Sequence, residues 1–196
     1  MNDKSLSARY FDDVYLAHAD PWAFETSAYE AAKYRTTIEA LGKRRFGNVF
    51  EIGCSIGVLT EMLATLGDRV LAVDVSESPL VRARQRCANL SHVRFECMSV
   101  PVEFPDESYN LIVMSEVGYY WSRADLAVAA ERIEASLAPG GAWLLVHWTP
   151  PVADYPLRGD EVHEFVLGRS SFTGAVRHIS GLQRETYRLD LFEKKR

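Results

Sequence analysis

Apolar and polar positions follow a repeating pattern from residue 48 to the end of the chain. Short apolar runs of strand length alternate with segments in which apolar residues recur at helical spacing. Such alternation predicts an α/β fold built around a largely parallel sheet. The predicted parallel strands are residues 48–52, 69–75, 93–98, 109–116 and 142–147.

The first 45 residues have a helical pattern of their own. Helical spacing runs from Tyr10 to Leu16 and from Tyr29 to Leu41, and Asp20-Pro21 interrupts it. Residues 1–45 are therefore predicted to be an N-terminal helical segment, either packed on the sheet edge or folded over the site as a lid. Residues 46–196 are predicted to be the main domain, and the whole chain one compact domain.

The C-terminal part predicts a different kind of strand pairing. A short helix is expected at residues 160–167, after a loop. Two alternating runs follow, at residues 172–179 and 184–193, and we expect them to be joined around Gly181. This pattern predicts a final antiparallel hairpin.

The turn after the first strand contains residues suited to binding a ligand. Glu51 ends the strand, and Gly53 and Gly57 bound a turn that leads into a helical pattern. Glycines let backbone approach a ligand where a Cβ would collide, so the turn is a candidate floor for a nucleotide-like cofactor. A carboxylate before the glycines would repel a pyrophosphate but suits a cationic or zwitterionic ligand.

Two further acids close later strands. Asp74 ends the second strand, at a position suited to hydrogen bonds from ribose hydroxyls, and Glu116 ends the fourth. Ligands of open α/β sheets bind outside the carboxyl ends of the strands. We therefore expect Glu51, Asp74 and Glu116 to converge.

Bulk properties exclude several classes of function. The 196 residues suit one core, and a net charge of −5 provides no basic field for nucleic acid. Three cysteines without ligand spacing indicate neither a disulfide framework nor a metal site. The pattern shows no signal peptide and no apolar run long enough to span a membrane, so a cytoplasmic protein is expected.

The order Glu51-x-Gly53-x-x-x-Gly57 resembles motif I of class I S-adenosylmethionine-dependent methyltransferases, and Leu137-x-Pro139-Gly140-Gly141 matches a second habit of that family. This resemblance implies a Rossmann-like, seven-stranded, mostly parallel sheet with helices on both faces and a C-terminal antiparallel hairpin. It also implies S-adenosyl-L-methionine as cofactor and S-adenosyl-L-homocysteine as product. Ser55 replaces the usual middle glycine, and Ser99 replaces the usual adenine-binding aspartate. The implied cofactor-binding residues are Trp22, Glu51, Gly53, Cys54, Ser55, Gly57, Asp74, Val75, Ser99, Val100 and Ser115.

Three local motifs narrow the resemblance to the nodulation protein S type, at Asp20-Pro21-Trp22, Glu51 to Gly57 and Glu116 to Tyr120. That family N-methylates the free amine of a partly deacetylated chitooligosaccharide, so the expected acceptor is an amino sugar or a similar glycan. An amine must lose a proton before methylation, and carboxylate and aromatic groups suit the positive charge. The candidate catalytic residues are Glu116, Tyr119, Tyr120 and His147.

Other functions stay open at this point. In one alternative, the methyl acceptor is another small metabolite, which is methylated on oxygen or on nitrogen. An NAD(P)-dependent reductase and a cofactor-binding module without catalysis are the others. The expected partners are a small-molecule or oligosaccharide acceptor, with no nucleic acid and no membrane, and the expected assembly is a monomer or a homodimer.

Overall fold

The structure is a computed structural model, and it describes residues 4–195. The helices are α1 (Ala8–Ala17), α2 (Ala28–Ala40), α3 (Val58–Leu63), α4 (Glu77–Arg86), α5 (Arg123–Ser136) and α6 (Gly159–Thr173). The strands are β1 (Val49–Ile52), β2 (Val70–Asp74), β3 (Val93–Cys97), β4 (Tyr109–Ser115), β5 (Leu137–Trp148), β6 (Val176–Gln183) and β7 (Tyr187–Lys194). A 3-10 turn covers Gly118–Tyr120.

The strands belong to a seven-stranded sheet with the order β3-β2-β1-β4-β5-β7-β6. β1 pairs with β2, β2 with β3, and β4 with β5, all in parallel. β7 pairs antiparallel with both β5 and β6. The predicted Rossmann-like, mostly parallel sheet with a C-terminal antiparallel hairpin is confirmed.

The chain divides into two compact units. Residues 7–99 form the N-terminal unit, and residues 4–6 with 100–195 form the C-terminal unit. The predicted division after residue 45, with a single compact domain overall, stays a prediction.

In the N-terminal unit, β1 and β2 are buried along their whole length, as their apolar sequences predicted. Cys54, Ala72 and Leu80 form a core cluster against which Phe95 packs. The core thus fixes the carboxyl ends of β1 and β2, which carry Glu51 and Asp74.

In the C-terminal unit, β4 and β5 form the buried centre. Tyr109, Trp143 and Phe192 are among its largest fully buried side chains. The long ladder between β5 and β7 runs from the Ala142–Glu193 pair to the Trp148–Tyr187 pair. This ladder holds the end of β5, where His147 lies, against the hairpin.

Three predicted boundaries in this unit were wrong. α6 continues through Gly168 to Thr173, because Gly168 sits where a Cβ would meet nothing within 4 Å and a solvent-facing glycine costs only about 1 kcal/mol. Gly181 lies inside β6 rather than in the turn, because Asp190 Oδ1 would be 2.5 Å from an added Cβ. β5 begins at Leu137, with Gly141 packed against the carbonyl oxygens of Ala138 and Tyr109.

Candidate functional site

The glycine turn of the N-terminal unit adopts left-handed backbone at three positions. Gly53 and Gly57 both have φ of +78°, and Ser55 has φ of +49°. A Cβ at Gly57 would lie 3.0 Å from the Cα and Cβ of Ala83, so α4 approaches this turn closely. The φ of Ser55 explains why glycine suits this position, since other residues pay for left-handed backbone.

Glu51 is buried at the end of β1, with 2% of its surface exposed. Its carboxylate accepts a hydrogen bond from Thr60 Oγ1 at 2.5 Å. Burial raises the pKa of Glu51 to about 7, the bond from Thr60 opposes this, and the nearby Asp74 adds to it. A neighbouring positive charge stabilises the ionised form of a carboxylate that is buried in this way.

Asp74 lies at the end of β2 and binds the glycine turn. Its Oδ2 accepts the backbone N–H of Ser55 at 2.9 Å, and its Oδ1 accepts that of Ser76 at 3.0 Å. Burial raises the pKa of Asp74 to about 6, although these two hydrogen bonds and one from Val75 lower it. Each carboxylate oxygen has two acceptor sites, so hydrogen bonds to the backbone do not by themselves exclude further donors. The hydrogen bonds from ribose hydroxyls stay a prediction.

The N-terminal helix α1 contacts the same turn. The hydroxyl of Tyr15 donates to Ser55 Oγ at 2.6 Å, and Ser76 Oγ donates to Asp12 Oδ1 at 2.6 Å. Tyr15 was not among the site residues predicted from the sequence. The helical spacing of Phe11 and Tyr15, which are the buried residues of α1, is the signal that identifies its inner face.

Trp22 belongs to an aromatic cluster in the N-terminal unit. Its ring makes an edge contact with Tyr15 at 5.6 Å and stacks on Phe24 at 5.5 Å, between centroids. Asp20 fixes this loop by accepting the backbone N–H groups of Phe24 and Glu25, at 2.8 and 3.0 Å. The Asp20-Pro21-Trp22 motif thus forms a turn that the side chain of Asp20 stabilises, and Trp22 lies in this turn.

The loop at residues 19–25 is also tied to α4, a connection that the sequence did not reveal. Arg82 donates to the Ala19 carbonyl at 2.6 Å and pairs with Glu25 at 2.7 Å. Arg86 pairs with Glu25 as well, and its Nε donates to the carbonyl of Ile56 in the glycine turn at 3.1 Å. These contacts fix the segment on the turn in this structure.

The other predicted cofactor residues are divided between the units. Cys54 is buried beside the turn, and Ser99 follows β3 in a half-buried position. Val100 and Ser115 lie in the C-terminal unit, where both are buried.

Glu116 is the centre of the second cluster, in the C-terminal unit. Its backbone is left-handed, with φ of +59°, and its Oε2 accepts both the hydroxyl of Tyr119 and the backbone N–H of Trp148, the latter at 2.9 Å. A strained backbone at an acid that closes a strand is a feature of functional sites. These two donors fix the orientation of the carboxylate.

Three tyrosines pack beside this acid. Tyr119 stacks on Tyr155 at 5.0 Å, and Tyr120 meets both rings edge-on at 4.7 Å. Burial raises the pKa of Tyr119 and of Tyr120, and nearby acidic groups add to it, so both hydroxyls stay protonated. Tyr155 was not predicted as a site residue, because it lies in a loop 35 or more positions away in the sequence.

His147 is fully buried behind the 3-10 turn. Its Nε2 accepts the backbone N–H of Gly118 at 3.0 Å, and its Nδ1 lies 3.0 Å from Nε2 of His163. The ring of Tyr119 meets it edge-on at 5.4 Å. Both ring nitrogens are therefore engaged inside the protein.

Within residues 4–195, no group of three or more His, Cys, Asp and Glu side chains is arranged to hold a metal ion. Over the same residues, no helix has the length and apolar character that membrane crossing requires.

The chain is similar to proteins of known family and structure. A family model described as Nodulation protein S (NodS) matches residues 10–147. The nodulation protein S of Bradyrhizobium diazoefficiens is 34% identical over 128 residues, which are 63% of this chain and 60% of that protein. The chain thus matches less than two thirds of the length of this curated relative.

Solved structures agree on the fold. The N-methyltransferase NodS from Bradyrhizobium japonicum WM9 in complex with S-adenosyl-L-homocysteine superposes with a TM-score of 0.84 at 24% identity, over 96% of this chain and 99% of that one. A putative methyltransferase from Pseudomonas syringae gives 0.73 at 30% identity, over 86% of this chain and 100% of that one. Because the family model matches well over half of its residues, the chain belongs to the nodulation protein S (NodS) family, as its motifs predicted.

Proposed function

We propose that this protein is an S-adenosyl-L-methionine-dependent N-methyltransferase, acting on the free amine of an amino sugar or of a deacetylated chitooligosaccharide-like glycan. One observation supports this proposal most strongly, the buried Glu51 carboxylate that precedes the glycine turn with its pKa raised to about 7. Such a group favours a positively charged adenosyl donor and repels phosphate. Family membership and the N-methyltransferase relative support the same reading.

The reaction is an in-line displacement. The amine lone pair attacks the methyl carbon of the sulfonium, the carbon–sulfur bond breaks, and its electron pair stays on sulfur as S-adenosyl-L-homocysteine leaves. The amine loses one proton for each methyl group gained. Holding both reactants in position supplies much of the rate, equivalent to roughly 7–11 kcal/mol in well-aligned systems, so no protein nucleophile is required.

In this proposal the N-terminal unit holds the donor. Glu51 provides negative charge, Asp74 accepts ribose hydroxyls, and Trp22 lines the site. The backbone of the glycine turn is already fixed by the bond from Ser55 to Asp74, at 2.9 Å, which reduces the cost of ordering the turn on binding.

The C-terminal unit contributes the acceptor-binding residues. Glu116 binds the amine and takes its proton, with its carboxylate oriented by Tyr119 and Trp148. Tyr119 and Tyr120 provide aromatic surface for a group that keeps positive charge in the transition state. Because both nitrogens of His147 are engaged, we assign the proton-accepting role to Glu116 rather than to His147.

A cofactor-binding experiment tests the donor. Calorimetry with S-adenosyl-L-methionine, S-adenosyl-L-homocysteine and NADH should give a dissociation constant of about 1 μM, equivalent to about −8 kcal/mol, for the two sulfur-containing compounds and no binding of NADH. Preference for NADH would indicate the alternative reductase and contradict the proposal.

A transfer assay tests the acceptor. Labelled methyl donor is offered with deacetylated chitooligosaccharides, simpler amino sugars, other amines, phenols and carboxylic acids. Transfer to amino-sugar nitrogen is expected. Transfer to a phenol or carboxylate would replace the acceptor but keep the methyltransferase, and adenosyl binding without any transfer would indicate a non-catalytic module.

The Glu116→Gln variant tests the acceptor-side acid. Glutamine keeps an oxygen for Tyr119 and Trp148 but cannot take the proton, so kcat should fall by about 10²-fold or more. The affinity for the donor should not change. Glu131→Gln, at an exposed position on α5, is the matched control. Wild-type turnover in Glu116→Gln would remove the assignment.

A further inference from the structure

A line of buried polar groups leads from the acceptor-binding turn into the C-terminal hairpin. The Gly118 N–H reaches His147 Nε2 at 3.0 Å, and His147 Nδ1 reaches His163 Nε2 at 3.0 Å. His163 Nδ1 reaches Asp190 Oδ2 at 2.7 Å. The two histidines are 0% exposed and Asp190 is 1% exposed.

The first group in the line fixes the proton positions of the others. A backbone N–H only donates, so His147 Nε2 accepts, and a neutral imidazole then carries its proton on Nδ1. This proton is donated to His163 Nε2, and His163 in turn donates from Nδ1 to Asp190. Each imidazole is thereby assigned one tautomer by the network.

The network also requires neutral rings. A doubly protonated His163 would direct an N–H at the N–H of His147. Burial, the largest effect, lowers the pKa of His163, against the opposing bond and charge of Asp190. A neutral His163 agrees with the geometry.

The far end of the line is held by the hairpin. Asp190 also accepts from Arg188 Nε at 2.7 Å and meets His178 Nε2 at 2.6 Å. Gly181 leaves the space that its Oδ1 occupies. Two hydrogen bonds therefore fix the carboxylate in addition to the one from His163.

The near end contacts the proposed acceptor-binding residues. Gly118 begins the 3-10 turn and lies between Glu116 and Tyr119. The ring of Tyr119 rests edge-on against His147 at 5.4 Å, and its hydroxyl donates to Glu116. A rotation of the His147 ring would release the Gly118 amide and the edge of Tyr119 together.

We propose that His163 and Asp190 are positioning residues for methyl transfer, because they hold His147 in the tautomer and orientation that fix the turn bearing Glu116 and Tyr119. This inference rests on the function proposed above. Both residues lie beyond residues 10–147, the part matched by the family model, so the device belongs to the C-terminal segment of this chain. In metal sites, hydrogen bonds from residues that do not touch the metal fix the tautomer and orientation of the histidine ligands in the same way.

The test compares three variants of α6 in the full-length protein. His163→Leu removes the acceptor for His147, and His163→Gln offers a new amide oxygen in its place. Val166→Ala, at another buried position on the same helix, is the control for a general loss of packing. Nitrogen NMR of the imidazoles gives the tautomers of the two histidines, and the exchange rate of the Gly118 amide shows whether its hydrogen bond to His147 is present. Kinetics with the best acceptor give the effect on kcat.

Wild-type protein should show protonated Nδ1 and bare Nε2 on both His147 and His163, with a slowly exchanging Gly118 amide. His163→Leu should lose that protection and lower kcat by about tenfold or more, with donor affinity changed less than about twofold. His163→Gln should recover part of both signals. Val166→Ala should keep the tautomers, the Gly118 protection and kcat.

Two results would overturn the positioning role. One is a proton on Nε2 of either wild-type ring. The other is a His163→Leu protein whose Gly118 protection and kcat match those of Val166→Ala. If no acceptor is methylated by the wild type, the proposed function fails on its own, whereas the tautomers and the Gly118 amide still decide whether the line exists.

Discussion

The Glu51→Gln variant should change how stability depends on pH. Glu51 is 2% exposed, and burial raises its pKa from 4.5 to about 7. The folded protein therefore holds this proton more tightly than the unfolded chain does. Its contribution to stability is complete below pH 4.5 and is lost as the pH rises through about 7.

The size of the effect follows from the two pKa values. The interval from 4.5 to about 7 is about 2.5 pH units, and at about 1.36 kcal/mol per unit this gives about 3 kcal/mol. The free energy of unfolding of the ligand-free protein should thus fall by about this amount between pH 4 and pH 8 through Glu51 alone. Asp74, raised from 3.8 to about 6, adds a decrease at lower pH that the variant retains.

Urea denaturation from pH 5 to pH 8, followed by circular dichroism, measures the difference between the two proteins. Glutamine stays neutral and still accepts the Thr60 hydroxyl, so Glu51→Gln should become more stable than wild type as the pH rises. The exposed Glu131→Gln should follow the wild type. Parallel curves for wild type and Glu51→Gln would refute the raised pKa.

The same proton links Glu51 to the proposed donor. A cation that binds beside the ionised carboxylate expels its proton, so donor affinity should rise with pH, by up to about tenfold per unit below pH 7. Glu51→Gln should bind more weakly and lose this slope. Calorimetry at several pH values gives both quantities, and an unchanged slope in the variant would place the cation elsewhere.

Three stability predictions concern the glycine turn, each measured as a free energy of unfolding by urea denaturation. Gly57→Ala should cost about 2–4 kcal/mol, because it combines left-handed backbone with a Cβ that lies 3.0 Å from Ala83. The control Gly42→Ala has φ of +65° and an empty Cβ position, so it should cost only about 1–2 kcal/mol. Equal losses in the two variants would exclude the contribution of packing against Ala83. Tyr15→Phe should cost about 1 kcal/mol, because it removes the hydroxyl donated to Ser55 Oγ; no loss would show that this bond adds nothing. In that background Ser55→Gly should stabilise by about 1 kcal/mol, since it relieves φ of +49° without leaving a buried hydroxyl unpaired; destabilisation would contradict the assigned strain.

Sequence alone determined the features that depend on neighbouring residues. The apolar runs predicted the parallel strands, and Gly53 and Gly57 after Glu51 predicted a turn whose backbone can approach a ligand, because hydrophobic period and glycine's small size are local properties. Family-specific motifs extended this to the NodS family. The convergence of Glu116 with Glu51 and Asp74 stays a prediction.

Only the tertiary structure decided what fills the space around those elements. Gly181 predicts a turn by its residue type, but the side chain of Asp190 needs the room inside β6. Tyr15 meets Ser55 across 40 positions, and His163 meets Asp190 across 27. Hydrophobic period carries no record of such distant partners, because a buried hydroxyl or imidazole is satisfied by whichever group the packed chain brings to it.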